Sequence, residues 1–253
     1  MAAAIRPLLV VAGVGNAAGT GAAAARAFSK AGYSVALLAR GQSSLTALTE
    51  EIQSNGGDAA PFCMPSYAPG NFPSIFSDIR SRFPDSKYTF RAALFNIGYP
   101  VFKPFLEVTP EEVQESLNTN VAAAFAFSRE AILQFKENPV DAQNPARGTL
   151  IFTGATASTR GNSITSAFSI GKFGARALSQ SLAKEFGKDD IHVAHAIIDG
   201  RILTGAALAS NSGTKPPLGL SPESIAQSYL YLVNQEKSAW TWELDLRPAH
   251  EKW

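Results

Sequence analysis

Along the chain, short apolar runs alternate with longer stretches in which apolar positions recur at helical spacing. Runs of strand length fall at residues 8–13, 34–39, 58–64, 91–96, 148–153, 192–198 and 239–245. Several, such as Leu8-Leu9-Val10-Val11-Ala12, are apolar throughout. A strand with one wet face alternates apolar and polar residues. A continuous apolar run instead suits a parallel strand covered on both faces. Residues 19–31, 43–55, 71–83, 110–137, 166–186 and 221–234 carry the helical patterns. Strands and helices taking turns predict an α/β fold: a single Rossmann-type domain over residues 1–253. Its doubly wound parallel sheet has about seven strands, with helices on both faces.

Proline and glycine mark the joints. Residues 138–148 read as a surface loop, and residues 205–220, richer in Ser, Gly and Pro, as a mobile lid over a site. No repeat of solenoid spacing is present.

Composition narrows the function mainly by exclusion. The 253 residues fit one core, and 45% hydrophobic with 17% charged residues suits a compact fold. The net charge of +1, without a block of like charges, argues against nucleic-acid binding and electrostatic membrane attachment. No apolar stretch is long enough to span a bilayer. The run Pro7-Leu8-Leu9-Val10-Val11-Ala12 leads straight into a glycine-rich turn, so it reads as a buried first strand rather than a signal-peptide core.

The single cysteine, Cys63, excludes an internal disulfide and a thiolate metal cluster, which points to the cytoplasm. Cys63 itself is expected as a small buried residue. His192 and His195 fall on opposite faces of one strand, and His250 lies near the C-terminus, so no metal site is expected. Glu111, Glu112 and Glu115 read as a solvated helix start favoured by the helix dipole, and Arg129 as a surface or interface residue.

The first candidate chemistry lies in Gly13-Val14-Gly15-Asn16-Ala17-Ala18-Gly19-Thr20-Gly21, between the first strand and the first helix. Gly15, Gly19 and Gly21 suit close backbone approach to a pyrophosphate, and the helix that follows presents N–H groups and a positive dipole end. The run Ala22–Ala25 lets that helix lie close to the sheet. The second strand ends on Arg40, where a carboxylate would bind the ribose hydroxyls of NAD. A guanidinium suits a 2′-phosphate instead, so NADP(H) is expected over NAD.

With these residues in place, the chain resembles the short-chain dehydrogenase/reductase family nearly end to end. The turn with Gly15, Asn16, Gly19 and Gly21 resembles its cofactor loop, and Asn96-Ile97-Gly98 its Asn-Ala-Gly element. Asn120 resembles its helix asparagine, which supports a proton-relay water. Lys172 matches the lysine of the Tyr-x-x-x-Lys motif, which also binds the nicotinamide ribose. Asp199-Gly200-Arg201-Ile202-Leu203-Thr204 resembles the Pro-Gly-x-x-x-Thr segment at the nicotinamide end, and 242–248 the closing strand. The resemblance thus implies cofactor contacts at Gly15, Asn16, Gly19, Gly21, Arg40, Asn96, Gly98, Lys172, Gly200, Ile202 and Thr204.

Departures from the family pattern cluster at its chemistry. Phe168 stands at the tyrosine position and Ala155 at the serine position, with Thr153 and Thr156 as neighbouring hydroxyls. Asp199 replaces the proline, and Ser66 stands near the place of an aspartate that flanks the adenine. A general acid contributes roughly 10²–10⁴-fold to carbonyl reduction and an oxyanion donor roughly 10²–10³-fold. Phenylalanine supplies no proton at any pH.

Three readings follow. Another group donates the proton: Tyr99, Ser166, Ser169 or Asp199 by position. Alternatively, an imine or iminium substrate needs none, and Phe168, Phe173, Phe102 and Phe105 wall the pocket. As a third reading, the chain is a redox-neutral cyclase or isomerase, or a non-catalytic NADP(H)-binding pseudoenzyme. A small-molecule substrate and a homodimer or homotetramer, paired through residues 118–137 and 168–186, complete the expectation.

Overall fold

The computed structural model describes residues 5–140, 145–205 and 219–249. The predicted lid therefore lies almost wholly outside the described residues, as does His250. The strands are β1 (Arg6–Ala12), β2 (Ser34–Ala39), β3 (Ala59–Cys63), β4 (Tyr88–Phe95), β5 (Gly148–Thr153), β6 (Ile191–Ile198) and β7 (Glu243–Leu246). They form one parallel sheet in the order β3-β2-β1-β4-β5-β6-β7. The order reverses between β1 and β4, and in open parallel sheets a crevice forms beyond the strand C-termini at such a switch point.

The helices are α1 (Thr20–Lys30), α2 (Gln42–Ser54), α3 (Phe72–Arg82), α4 (Pro110–Leu117), α5 (Ala123–Phe135), α6 (Ser166–Phe186) and α7 (Pro222–Val233). Two apolar cores account for the continuous apolar strands. Leu8, Val10, Phe95, Phe127 and Phe152 pack on one face of the sheet; Leu9, Val11, Leu37, Ile151 and Tyr229 pack on the other. On the second face the residues Ala22–Ala25 are buried, so the small side chains let α1 settle onto the sheet.

Four details differ from the sequence expectation. The single helix expected at 110–137 is α4 and α5 joined by a π-helical turn, Asn118–Ala122. β4 starts earlier than expected: Tyr88, Thr89 and Phe90 pair with β1 ahead of Arg91, which bulges out of register between the pairs Leu8–Phe90 and Leu9–Ala92. Its guanidinium reaches the Ala146 carbonyl at 2.9 Å. The last strand is shorter than 239–245, since Lys237–Ala239 forms a 3-10 turn. Cys63 is exposed, not buried: β3 is an edge strand, and its residues alternate between core and solvent.

His195 on β6 is fully buried, and its ring packs beneath Gly154, where an added Cβ would lie 2.3 Å from Nε2. Neither ring nitrogen has a hydrogen-bond partner among the described residues. Burial, and then the charge of Lys172, push its pKa down to about 3, so the ring is neutral. Gly154→Ala is expected to destabilise the protein by roughly 1–3 kcal/mol through overpacking. In a His195→Ala background the same substitution should cost much less, and urea denaturation of the double-mutant cycle measures the coupling.

Candidate active site

The crevice at the switch point is built first from backbone. β1 ends at Gly13, whose φ of +108° favours glycine, and a Cβ there would lie 2.8 Å from the Asn96 carbonyl group. Asn96 Nδ2 donates to the Gly13 carbonyl at 2.8 Å. Gly21, in the first turn of α1, sits so close that a Cβ would fall 2.3 Å from the same carbonyl oxygen. The end of β1, the start of α1 and the end of β4 are thereby locked together. In the intervening turn, Gly19 N donates to the Asn16 carbonyl at 2.9 Å and Ala18 N to Asn16 Oδ1 at 2.9 Å.

This turn fits a pyrophosphate. No side chain caps α1, and its first turn holds no acidic residue. The four leading N–H groups of a helix need a partner, and an anion supplies one. A Cβ on Gly15 would meet nothing within 4 Å, and the buried Thr20 hydroxyl has no partner among the described residues.

At the far end of β2, Arg40 is exposed and its guanidinium carbon lies 4.8 Å over the Tyr67 ring. Cys63 Sγ lies 3.4 Å from the Arg40 carbonyl, which it meets as a donor. Ser66 Oγ accepts from Ala68 N at 3.3 Å and Asn71 Nδ2 at 3.1 Å.

On the other side of the crevice, the π-helical turn presents Asn120 inward. Its Nδ2 donates to the Ser116 carbonyl at 3.0 Å and to Ser116 Oγ at 3.1 Å, while Oδ1 accepts from Tyr99 N at 3.2 Å. Such turns displace one residue from the helical register and recur at functional sites. Lys172 on α6 is buried, and its Nζ donates to the Thr153 carbonyl at 3.0 Å. A Cβ on Gly98 would lie 3.6 Å from that Nζ and 3.7 Å from Asn120 Oδ1, so the three residues meet. Burial lowers the Lys172 pKa to about 8.

Phe168 lies one turn before Lys172 on α6. Lys172 Nζ is 5.8 Å from its ring centroid, and the Phe168 and Phe102 rings meet edge to face with their centroids 5.5 Å apart. Ala155 N donates to Ser158 Oγ at 3.1 Å. The neighbouring hydroxyls are engaged elsewhere: Thr153 Oγ1 shares a hydrogen bond with Tyr229 at 2.9 Å, and Thr156 Oγ1 donates to Asp199 at 2.5 Å.

Of the candidate proton donors, Asp199 does not fit. It is buried and receives Arg160 Nη1 at 2.9 Å, Arg247 Nη2 at 2.6 Å and the Thr156 hydroxyl. Burial alone would raise its pKa, but the Thr156 hydrogen bond and the two guanidinium groups more than offset this. The net shift is downward, so Asp199 is a carboxylate at neutral pH with no proton to give. It ties the segment after β5 to the end of β6 and to the chain after β7. Ser169 is nearly buried, 3.1 Å from the Thr165 hydroxyl. Ser166 opens α6, and Tyr99 is bound to Asn120 through its backbone.

Beyond β6, a Cβ on Gly200 would strike Leu220 Cδ1 at 2.8 Å. Ile202 pairs with Leu220, and Thr204 N donates to the Ile202 carbonyl at 3.1 Å. Glu111 and Glu112 sit in the first turn of α4, where Thr109 and Glu112 form a capping box. Arg129 pairs with Glu130 on the surface. No group of three metal-ligating side chains occurs among the described residues. None of their helices is long and apolar enough to cross a membrane.

Sequence reasoning placed Gly13 and Thr20 in the turn without giving either a role, and it missed Tyr67 and the pairing of Asp199 with Arg160 and Arg247. Gly13 carried a usable signal, because it ends the first apolar run directly. The ion cluster carried a weaker one: an aspartate in an apolar strand end needs cationic partners.

The sequence profile of the short chain dehydrogenase family matches residues 9–214. A 3alpha-hydroxysteroid dehydrogenase of Mediterraneibacter gnavus is 27% identical over 243 residues, covering 91% of each chain. A short-chain dehydrogenase structure from Rhodopseudomonas palustris is 30% identical, with a TM-score of 0.77 over 96% of this chain and 98% of its own. A metagenomic short-chain oxidoreductase solved with NADP shares the fold at 21% identity, with a TM-score of 0.77 over 97% and 98% of the two chains. The chain belongs to the short-chain dehydrogenase family, a family of oxidoreductases.

The depressed Lys172 pKa yields a stability prediction. The unfolded lysine has its ordinary value of 10.5 and the folded one about 8, so burying the charge is unfavourable below pH 8. As pH rises from about 8 towards 10.5 the unfolded state binds more protons, and folding stability increases. Lys172→Met should therefore stabilise the cofactor-free protein at pH 7 by up to about 3 kcal/mol. That advantage should shrink as pH is raised through the same window, as chemical denaturation at several pH values would show.

Proposed function

We propose that the chain is an NADP(H)-dependent reductase acting on an imine, an iminium ion or an activated carbonyl of a small organic molecule. Its proton handling is atypical for the family, and a cyclisation of the reduced product is compatible with it. The observation that carries this reading is the pairing of Phe168 and Lys172 on one face of α6, the aromatic ring beside the buried ammonium. On this reading the residues assigned to the cofactor are retained, while Phe168 at the tyrosine position has no acidic proton to donate.

Bound NADPH would supply a hydride at the crevice. Gly15, Asn16, Gly19 and Gly21 shape the turn for its pyrophosphate, and Arg40 suits its 2′-phosphate. The relative solved with NADP agrees in fold with this choice. Asn96, Gly98, Gly200, Ile202 and Thr204 shape the nicotinamide end. Lys172 has donors to spare beyond its bond to Thr153 and orients the ribose; Asn120 holds the loop of Tyr99 and supports a water beside Lys172.

The same residues define which substrate is reduced readily. Hydride addition to a ketone leaves an alkoxide, which needs a proton and a hydrogen-bond donor. Phe168 offers neither, Ala155 has no hydroxyl, and Thr153 and Thr156 are committed to Tyr229 and Asp199. Hydride addition to an iminium carbon leaves a neutral amine with no proton required. Phe168 and Phe102 meet edge to face and give that side of the crevice an apolar wall, with Phe102 still exposed in the absence of ligand. A homodimer or homotetramer in the cytoplasm completes the proposal.

The test is a panel of cyclic imines, iminium salts and activated ketones, followed by nicotinamide absorbance and by product analysis. NADPH should be consumed with an imine or activated carbonyl and not with simple ketones. Phe168→Tyr combined with Ala155→Ser should extend reduction towards ketones. Conversion without any change in absorbance would instead mark a redox-neutral cyclase or isomerase. Cofactor binding with no conversion of any substrate would mark a non-catalytic NADP(H)-binding protein, with Lys172→Ala lowering affinity alone.

A further inference from the structure

Arg40 directly follows β2 as an exposed side chain. A guanidinium presents its N–H donors in one plane, in a fork that matches phosphate oxygens. An exposed arginine is also a long, mobile side chain, and clamping an anion removes its rotamer freedom. A structure that holds the fork ready before the anion arrives therefore binds it more tightly.

Such a support is present. The Arg40 guanidinium carbon lies 4.8 Å over the Tyr67 ring. At that distance the Arg40 charge lies over the ring, and because a guanidinium carries five N–H donors, donors remain for an anion. Tyr67 is itself half-buried and packs against the core under β3 and α3. Burial raises its phenol above the usual pKa, against the pull of the Arg40 charge and of hydrogen bonding to the Arg40 side chain and backbone, so the ring is neutral at physiological pH. The chain on both sides of the pair is fixed. Cys63 Sγ meets the Arg40 carbonyl, while Ala68 and Asn71 hold Ser66, the residue before Tyr67.

We infer that Tyr67 is a specificity-determining residue: its ring holds Arg40 in place for the 2′-phosphate of an adenosine ribose and so sets the preference for NADP(H) over NAD(H). This rests on the proposed reading of Arg40 as the phosphate ligand. Tyr67 is a positioning residue, because it acts through Arg40. The cofactor lacking the phosphate gains nothing from the stacked guanidinium, so the effect of Tyr67 is confined to NADP(H).

The test is equilibrium binding of NADPH and of NADH, read by nicotinamide fluorescence, with no substrate present. Tyr67→Leu should weaken NADPH by about threefold to tenfold, the range of an exposed to partly desolvated cation–π contact, and leave NADH unchanged. Tyr67→Phe keeps the ring face and should keep the preference. Tyr67→Trp, with a stronger ring face, should do the same, which covers the case in which Tyr67→Leu fails to fold. Equal weakening of both cofactors by Tyr67→Leu, or no weakening of NADPH, would overturn the inference, as would loss of the preference in both aromatic variants. Arg40→Ala separates the two levels. If it leaves the NADPH preference intact, the reading of Arg40 itself fails. If it abolishes the preference while Tyr67→Leu does not, only the role of Tyr67 fails.

Discussion

The contact between Gly13, Gly21 and Asn96 is the constraint on which the crevice depends. Three elements approach so closely there that no Cβ fits at either glycine. One carbonyl, that of Gly13, receives the Asn96 amide and faces the backbone of α1. This aims the uncapped end of α1 at the crevice and fixes the end of β4, from which the chain leads on to Gly98 and Tyr99. From there the contacts continue through Asn120 to Lys172. The cofactor turn and the far wall of the site are thus one connected construction.

Charge placement divides this site into two ends. At the end of β2, the Arg40 cation and the Tyr67 ring are exposed and half-buried, the end that the proposed reading gives to adenosine. On α6, at the end that it gives to nicotinamide, Lys172 is a buried cation held by a backbone carbonyl. Leaving such a group in place is unfavourable for folding, so its retention fits a role in ligand binding. Asp199 solves the opposite problem: a buried carboxylate is held by Arg160, Arg247 and Thr156, which fastens three neighbouring segments.

Much of the fold was legible because burial on both faces leaves continuous apolar strands. β2, β5 and α6 have the bounds that the pattern predicts. Where the pattern failed, local geometry had decided. Helical periodicity runs through a π-helical turn without a visible break, so the turn that presents Asn120 was hidden. Arg91 interrupted an apolar run because it occupies a bulge, and Cys63 alternates outward because β3 is an edge strand. The candidate site was legible where glycine or a motif spacing marked it. The ion cluster around Asp199 and the contact of Arg40 with Tyr67 join residues far apart in sequence; the first has only a weak local signature, the aspartate at an apolar strand end, and the second has none.

The central claim is that a dinucleotide site persists here with the family's usual proton donor replaced by an aromatic wall. A crystal structure with NADPH bound tests it most directly. The account predicts Lys172 Nζ within about 3 Å of a nicotinamide-ribose hydroxyl, with the Arg40 fork on the 2′-phosphate. Phe168 and Phe102 should then face the nicotinamide ring, with no protein hydroxyl or acid within hydrogen-bond reach of the space beside its C4. A side-chain proton donor in that space, or a nicotinamide ring that cannot enter past Phe168, would contradict it.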